Sequence, residues 1–127
     1  MRKINLESYK VKVPHFNKGI PVYDENGDLE MVYKDYKVKE AIIDVMFHQG
    51  QQLGRDDIRI RNKIADKIEA AEKEIYLENS EFDIINNAFG TFKGFKRNED
   101  ELNRRIDEAE TVTPEQLVGK AKEVKTK

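Results

Sequence analysis

The stretch IPVYDENGDLEMVY, residues 20–33, decides the fold class because it predicts a β-hairpin ahead of a chain of helical patterns. Asn26 and Gly27 stand between two strand-like runs, and a tight type I′ turn favours this pair because both of its central positions take positive φ. Pairing across the turn places apolar residues on one face and polar residues on the other, as a sheet packed on helices requires. The predicted buried face is Ile20, Val22, Leu29, Met31 and Tyr33.

A calcium loop is the competing interpretation of this stretch, since Asp24, Asn26 and Asp28 alternate as calcium ligands do. Such a loop needs glycine at its sixth position, where Leu29 stands, and glutamate at its twelfth, where Asp35 stands. Both key positions are mismatched, so the sequence favours the hairpin.

A second strand is predicted upstream, at YKVKV (residues 9–13), where apolar and basic residues alternate. Pro14 lacks a backbone donor, which predicts that this strand ends there or lies at the edge of a sheet. A brief extended segment is also predicted at EIYLENS, residues 74–80.

Helical spacing dominates the rest of the chain. A first helix runs from about Tyr36 to Gln49, and a second begins near Asp56 or Asp57 with a buried face of Ile60, Ile64, Ile68, Ala71 and Ile75. A third is capped by Ser80 and lined by Phe82, Ile85, Phe89 and Phe92, a fourth starts at Asn98, and a fifth starts at Thr113.

Strands that precede helices predict an α+β fold, an N-terminal antiparallel β-ribbon packed on four to five short α-helices. The length of 127 residues fits one domain, with a ribbon portion (1–36), a helical portion (37–110) and a C-terminal helix with a frayed tail (111–127). The predicted core is Ile20, Val22, Met31, Ile42, Val45, Met46, Ile64, Ile68, Ile85, Phe89, Phe92, Leu102 and Ile106.

Composition excludes several functions. The chain has no cysteine, so disulfides, thiolate metal sites and cysteine nucleophiles are excluded. Apolar residues make up only 38% and the net charge is −2, which indicates a small core and no strong global field for nucleic acid or membrane. No signal peptide or membrane span is predicted, so a soluble, intracellular protein is expected.

The stretch FGTFKGFKRNEDELNRR, residues 89–105, combines phenylalanines, glycines and basic residues. It is a helix joint if Gly94 ends one helix, Phe95 makes the hydrophobic contact that follows, and Asn98 starts the next helix. It is a nucleic-acid or nucleotide surface if its bases join those of residues 55–63. Interleaved acids favour the joint. The candidate binding residues are Arg55, Arg59, Arg61, Lys93, Phe95, Lys96, Arg97, Arg104 and Arg105.

Glu40, Asp44 and His48 recur every four residues, so they share one face of the first helix and offer donors for a divalent metal. A charged row opposite an apolar stripe is also typical of any surface helix. The chain carries no HExxH, GxSxG, P-loop or GxGxxG motif, and no cofactor is predicted.

Three segments together resemble small proteins encoded by bacteriophages and prophages: residues 2–13, 33–48 and 81–110. In those proteins a short β-ribbon precedes a few helices and a GF-x-RN joint, which here is Gly94, Phe95, Arg97 and Asn98. The resemblance implies a viral accessory, assembly or host-interaction role, in the host cytoplasm or the virion. It implies no activity and no site residues.

Three functions are therefore predicted. The first is a non-enzymatic protein that binds another protein or itself, for which the β-edge at residues 9–13 and the helix face of Arg59 and Arg61 are candidate surfaces. The second is a nucleic-acid or nucleotide-binding regulator that uses the basic residues. The third is a small metal-dependent enzyme built on Glu40, Asp44 and His48.

Overall fold

The computed structural model describes residues 1–113 and confirms the α+β class. Its helices are α1 (Val38–Met46), α2 (Arg55–Ala70), α3 (Asn79–Thr91) and α4 (Asp100–Asp107). Its strands are β1 (Arg2–Asn5), β2 (Tyr9–Pro14), β3 (Phe16–Asn17), β4 (Ile20–Pro21), β5 (Met31–Tyr36), β6 (Glu74–Leu77) and β7 (Glu110–Thr111). Two regions are distinguished below: the body, residues 1–8 and 37–113, and the arm, residues 9–36.

The body contains a three-stranded antiparallel sheet in the order β6-β1-β7, which the sequence did not predict. β1 is its central strand, with Ile4 opposite Ile75 and Arg2 opposite both Leu77 and Thr111. The pairing with β7 extends one step further, where the Val112 N–H donates to the Met1 carbonyl at 2.8 Å. Residues 1–5 are therefore held between two segments that come much later in the chain.

The four helices cover this sheet and enclose the core. Each helix contributes an apolar face at helical spacing, and the sheet contributes Ile4, Ile75 and Leu77. The predicted core residues are confirmed as buried at nine positions: Ile42, Val45, Met46, Ile64, Ile68, Ile85, Phe89, Leu102 and Ile106. Val22 and Phe92 are only half-buried, and the prediction is wrong for Ile20 and Met31, which are exposed.

The arm is one long hairpin in which β2 pairs with β5 from Tyr9 opposite Tyr36 to Pro14 opposite Met31. Beyond Pro14 the ascending strand is interrupted by the small hairpin of β3 and β4, and it resumes at Val22 and Tyr23. The base of the arm packs on the body through Tyr9 and Tyr36, and Val11 is buried there.

A ring of three backbone hydrogen bonds closes the point where the small hairpin is inserted. The His15 N–H donates to the Glu30 carbonyl, the Glu30 N–H to the Val22 carbonyl, and the Val22 N–H to the His15 carbonyl, at 2.8 to 2.9 Å. Two residues, His15 and Val22, thus oppose the single residue Glu30, as in a β-bulge. The His15 ring also lies 2.7 Å from the Glu30 carboxylate.

The hairpin at residues 20–33 is confirmed, but its predicted turn type is wrong. Gly27 has φ +83° whereas Asn26 does not have positive φ, and the Gly27 N–H donates to the Asp24 carbonyl at 3.1 Å. This is the geometry of a three-residue loop with glycine at its left-handed position. Positive φ at both central residues, as type I′ requires, occurs at Lys18 and Gly19 instead.

The start of α2 agrees with the predicted one to within one residue, whereas the start of α3 differs. α2 begins at Arg55, and the Gly54 N–H donates to the Asp57 carboxylate at 3.0 Å. α3 begins before Ser80, because the Glu78 N–H is accepted by Glu81 at 3.0 Å. Ile60 is exposed and Ile75 belongs to β6, so the predicted buried face of the second helix is wrong at both ends.

The joint between α3 and α4 also differs in detail. Gly94 lies two residues beyond the cap at Phe92 and takes φ +117°. A 3-10 turn, Arg97–Glu99, precedes α4, and the Lys96 N–H donates to Glu99 at 2.8 Å, so Asn98 is not the cap.

The extended segment predicted at residues 74–80 is confirmed as β6. At the predicted 110/111 boundary, Thr111 lies in β7 and Val112 is buried. The fifth helix predicted after Thr113 falls outside the described residues.

Candidate interaction surface

An exposed apolar stripe runs along one face of the arm. Of the nine exposed large hydrophobic residues found within residues 1–113, seven lie in the arm and two, Ile58 and Ile60, lie on α2. Successive side chains of a strand alternate between faces, and Tyr23 lies opposite Leu29. Four of the seven therefore share one face, called here the outer stripe: Tyr23, Leu29, Met31 and Tyr33.

The outer stripe corrects the buried face predicted for the hairpin. Ile20, Tyr23 and Tyr33 are the most exposed apolar residues of the arm, at 68%, 60% and 71%. Tyr33 is exposed because of the orientation of β5, in which the side chains of the even-numbered residues, among them Tyr36, face the body. A shift of one residue exchanges the two faces of a strand, so Met31 and Tyr33 point away from the core.

The arm also presents an unpaired strand edge. The His15 N–H donates to the Glu30 carbonyl, and hydrogen-bonded pairs recur at every second residue of an antiparallel ladder. The odd-numbered residues of β5 therefore direct their backbone N–H and C=O groups away from β2: Met31, Tyr33 and Asp35. Within residues 1–113, β5 has β2 as its sole strand partner.

The opposite edge of the arm, at β2, carries features that disfavour strand pairing; its role as a contact surface stays a prediction. Pro14 has no N–H, Lys10 and Lys12 are exposed, and the small hairpin interrupts the ascending strand. Proline, lysines and irregularities are the features that keep a strand edge from pairing with another chain.

Paired tyrosines fix the base of the arm to the joint before α4. The rings of Tyr9 and Tyr36 stack with centroids 4.9 Å apart. The Tyr9 hydroxyl donates to the Asn98 carbonyl at 3.0 Å, and the Tyr36 hydroxyl donates to the Glu99 carboxylate. Burial and the bond to Glu99 raise the pKa of Tyr36 above its ordinary value of 10.0. The arm is thus attached to the body by specific polar contacts.

A groove of about 510 Å³ lies between the arm base and α1. It contains the predicted metal trio of Glu40, Asp44 and His48 on one wall, with Tyr36 and Glu99 also lining it. His48 Nδ1 accepts the Gly50 N–H at 3.1 Å. No group of three His, Asp or Glu side chains in residues 1–113 is arranged to hold a metal ion. The metal-dependent enzyme stays a prediction without a donor set.

Three of the predicted basic binding residues make contacts within the fold. Arg61 donates to the Met46 carbonyl at 2.7 Å, and burial lowers its pKa. Arg105 donates to the carbonyls of Asn5 and Glu7 and lies over the Tyr9 ring. Arg104 pairs with a glutamate one turn earlier, Glu101.

The remaining candidates fall into two groups. Arg55 and Arg59 are exposed on α2, whereas Lys93, Lys96 and Arg97 are exposed between α3 and α4. Phe95 is half-buried and contacts two other phenylalanines, with centroids 5.5 Å from Phe89 and 4.6 Å from Phe92. Residues 89–105 therefore have the packing of a helix joint, and nucleotide binding there stays a prediction.

Comparison with known proteins adds no relative: the chain matches no protein-family profile, no curated protein and no solved structure. In residues 1–113 there is no helix with the length and apolar character needed to cross a membrane.

The sequence pattern placed three residues of the outer stripe, Leu29, Met31 and Tyr33, on the predicted buried face, and it placed Tyr23 on the opposite, polar face. One feature of the sequence could have prevented this wrong assignment. β5 carries apolar residues at both even-numbered and odd-numbered positions, Val32 and Tyr36 as well as Met31 and Tyr33. A two-stranded ribbon can bury only one face against the body, so one of these two sets must be exposed.

Proposed function

We propose that this chain is a non-enzymatic, phage-type accessory protein that acts through protein–protein contacts made by its arm, in the host cytoplasm or the virion. The observation that carries the proposal is the outer stripe together with the unpaired edge of β5. Apolar surface and open backbone groups on one projecting element are what a partner protein can cover.

The size of the apolar surface supports this proposal. The four residues of the outer stripe present roughly 430 Å² of large side chains, at about 200 Å² for each one when fully exposed. One partner in a standard protein interface contributes about 800 Å². The outer stripe therefore supplies about half of one partner's share, and the open backbone groups of the β5 edge lie beside it.

The position of the hydrophobic core also supports the proposed function. The core of the body is closed by residues of β1, β6 and the four helices, and Val11 is the single arm residue that is buried. The stripe residues thus add little to folding, and as a contiguous exposed patch they are available to a partner.

The test is photo-crosslinking of the full chain in its native host, with a benzoylphenylalanine in place of Tyr33. We expect an adduct of one defined mass, with the chain itself or with a second protein. The matched control carries the same residue in place of Ile60, an apolar side chain exposed on α2. Absence of an adduct at position 33, or equal adducts at both positions, contradicts the proposal.

A further inference from the structure

We propose that two copies of this chain pair through the outer edge of β5, antiparallel across a two-fold axis at Val32, so that their arms form one continuous sheet. The inference rests on the proposed function and names its partner: a second copy.

The outer edge of β5 is the edge of the arm that is open to a further strand. β5 directs the N–H and C=O groups of Met31, Tyr33 and Asp35 outwards, whereas the opposite edge is interrupted by Pro14 and the small hairpin. A strand can therefore add to the arm on the β5 side alone. An added strand satisfies these backbone groups in the manner of β-augmentation.

The register is restricted by the backbone. Hydrogen-bonded pairs across the new interface must join outward-facing residues, so Met31 and Tyr33 can pair but Met31 and Lys34 cannot. With the axis at Val32, each Met31 lies opposite Tyr33 of the other copy, and Val32 lies opposite itself. Met31 then contacts an aromatic ring, which favours the pair.

Charge selects this register among those allowed. With the axis at Val32, Glu30 of each copy lies opposite Lys34 of the other, which gives two ion pairs. An axis at Lys34 would oppose two lysines. An axis at Tyr33 would place Val32 opposite Lys34, and an axis at Met31 would place Val32 opposite Glu30. An axis at Met31 also places Asp28 opposite Lys34, but Asp28 lies in the turn beyond the Tyr23–Leu29 bridge. The axis at Val32 is therefore the register that opposes unlike charges within the paired part of the arm.

The same register brings the acidic tip of one arm to the body of the other copy. Position 28 of one copy lies opposite Tyr36 of its partner, so Asp24, Glu25 and Asp28 come alongside Lys37. Lys37 is the N-cap residue of α1, and its side chain makes no capping hydrogen bond at the start of that helix. Carboxylates are favoured at such a helix start. This second complementarity involves different residues from the first.

The first experiment exchanges charge. Sedimentation velocity of the full chain should show a dimer at low salt, and Glu30→Lys or Lys34→Glu alone should weaken dimerisation by about tenfold or more, since each opposes two like-charged pairs. Mixing the two variants should restore dimers, because the introduced lysine of one copy then faces the introduced glutamate of the other. Lys12→Glu, on the β2 edge, is the control for charge, and His15→Gln is the control for the lost His15–Glu30 contact.

The second experiment determines the position of the two-fold axis along β5. Val32 opposite Val32 is a non-hydrogen-bonded pair, with Cα atoms about 4.5 Å apart, which is within the range of a disulfide. The chain has no cysteine, so Val32→Cys gives a single thiol. We expect Val32→Cys to form a linked dimer on mild oxidation at least several times faster than Tyr33→Cys or Lys12→Cys.

The outcomes separate the two proposals. A monomer at all concentrations up to about 100 µM overturns the inference, and an adduct between position 33 and another protein would then still support the proposed function. The inference is also overturned if the charge substitutions leave dimerisation unchanged, or if Tyr33→Cys forms the linked dimer faster than Val32→Cys. A monomer that also gives no adduct at position 33 overturns both proposals.

Discussion

The body and the arm of this chain use the same apolar residue types in opposite ways. Ile4 and Leu102 in the body are 1% and 0% exposed, whereas Ile20 and Tyr33 in the arm are 68% and 71% exposed. Both regions have regular backbone pairing, so the difference does not arise from loose structure in the arm. An apolar residue that folding leaves in water is a candidate for binding, and a sequence pattern alone does not separate the two cases.

The sharpest test of this comparison is one truncation in each region. Leu102→Ala leaves a cavity in the body and should reduce the free energy of unfolding by about 3 kcal/mol. Tyr33→Ala should change it by less than about 0.5 kcal/mol, because the ring is mostly in water. Urea unfolding of the monomer at low protein concentration measures both. Similar losses at the two positions would mean that the arm belongs to the folding core.

Disrupting the contact between the arm and the body should have an intermediate effect on the free energy of unfolding. Tyr36→Phe removes the hydroxyl that donates to Glu99 and leaves a half-buried carboxylate oxygen with one partner fewer. We expect a loss of about 1–2 kcal/mol in urea unfolding. Tyr23→Phe, on the outer stripe, should be close to neutral; if it matched Tyr36→Phe, the join would not be specific.

Alkaline pH should weaken the same join. The pKa of Tyr36 is raised by burial and by Glu99, so above about pH 10 the unfolded chain releases this proton while the folded chain retains it. The contribution to stability is thus complete below pH 10 and is lost as the pH rises beyond it. Unfolding free energies from pH 9 to 11 should fall more steeply for the native chain than for Tyr36→Phe. Equal slopes would count against the burial of this hydroxyl.

Substitutions at two glycines should have small effects on stability, with opposite signs. Gly27 at the arm tip has φ +83° with open space around it, so Gly27→Ala should destabilise the hairpin by about 1 kcal/mol, seen as faster amide exchange in the arm. Gly90 lies in α3 with no atom within 4 Å of an added Cβ, so Gly90→Ala should stabilise the body by about 0.5–1 kcal/mol. A change of the same sign at both positions would contradict the assigned conformations.

The sequence was sufficient for the parts of the fold that depend on local periodicity. Ile42, Val45 and Met46 share one helical face, as do Ile64 and Ile68, and all five are buried. The hairpin at residues 20–33 was predictable from Asn26 and Gly27 because glycine marks the turn whichever turn type forms.

The central sheet was not predictable in this way. β1 has four residues, β7 has two, and the pairing of Arg2 with Thr111 joins positions 109 apart in the sequence. Strands this short carry no alternation long enough to recognise, and their pairing depends on the arrangement of the helices between them. The candidate site failed for a related reason: the choice between the two faces of β5 is set by how Tyr36 docks on the body.

The central position of β1 has a consequence for the time course of synthesis. β1 is made before either of its partners, since β6 follows roughly 70 residues later and β7 more than 100 residues later. At roughly 5–20 residues per second, Ile4 waits several seconds or longer for both neighbours. The arm pairs residues that are close in the sequence and can form as soon as it leaves the ribosome. A nascent chain of this protein would therefore expose the outer stripe before its body has closed.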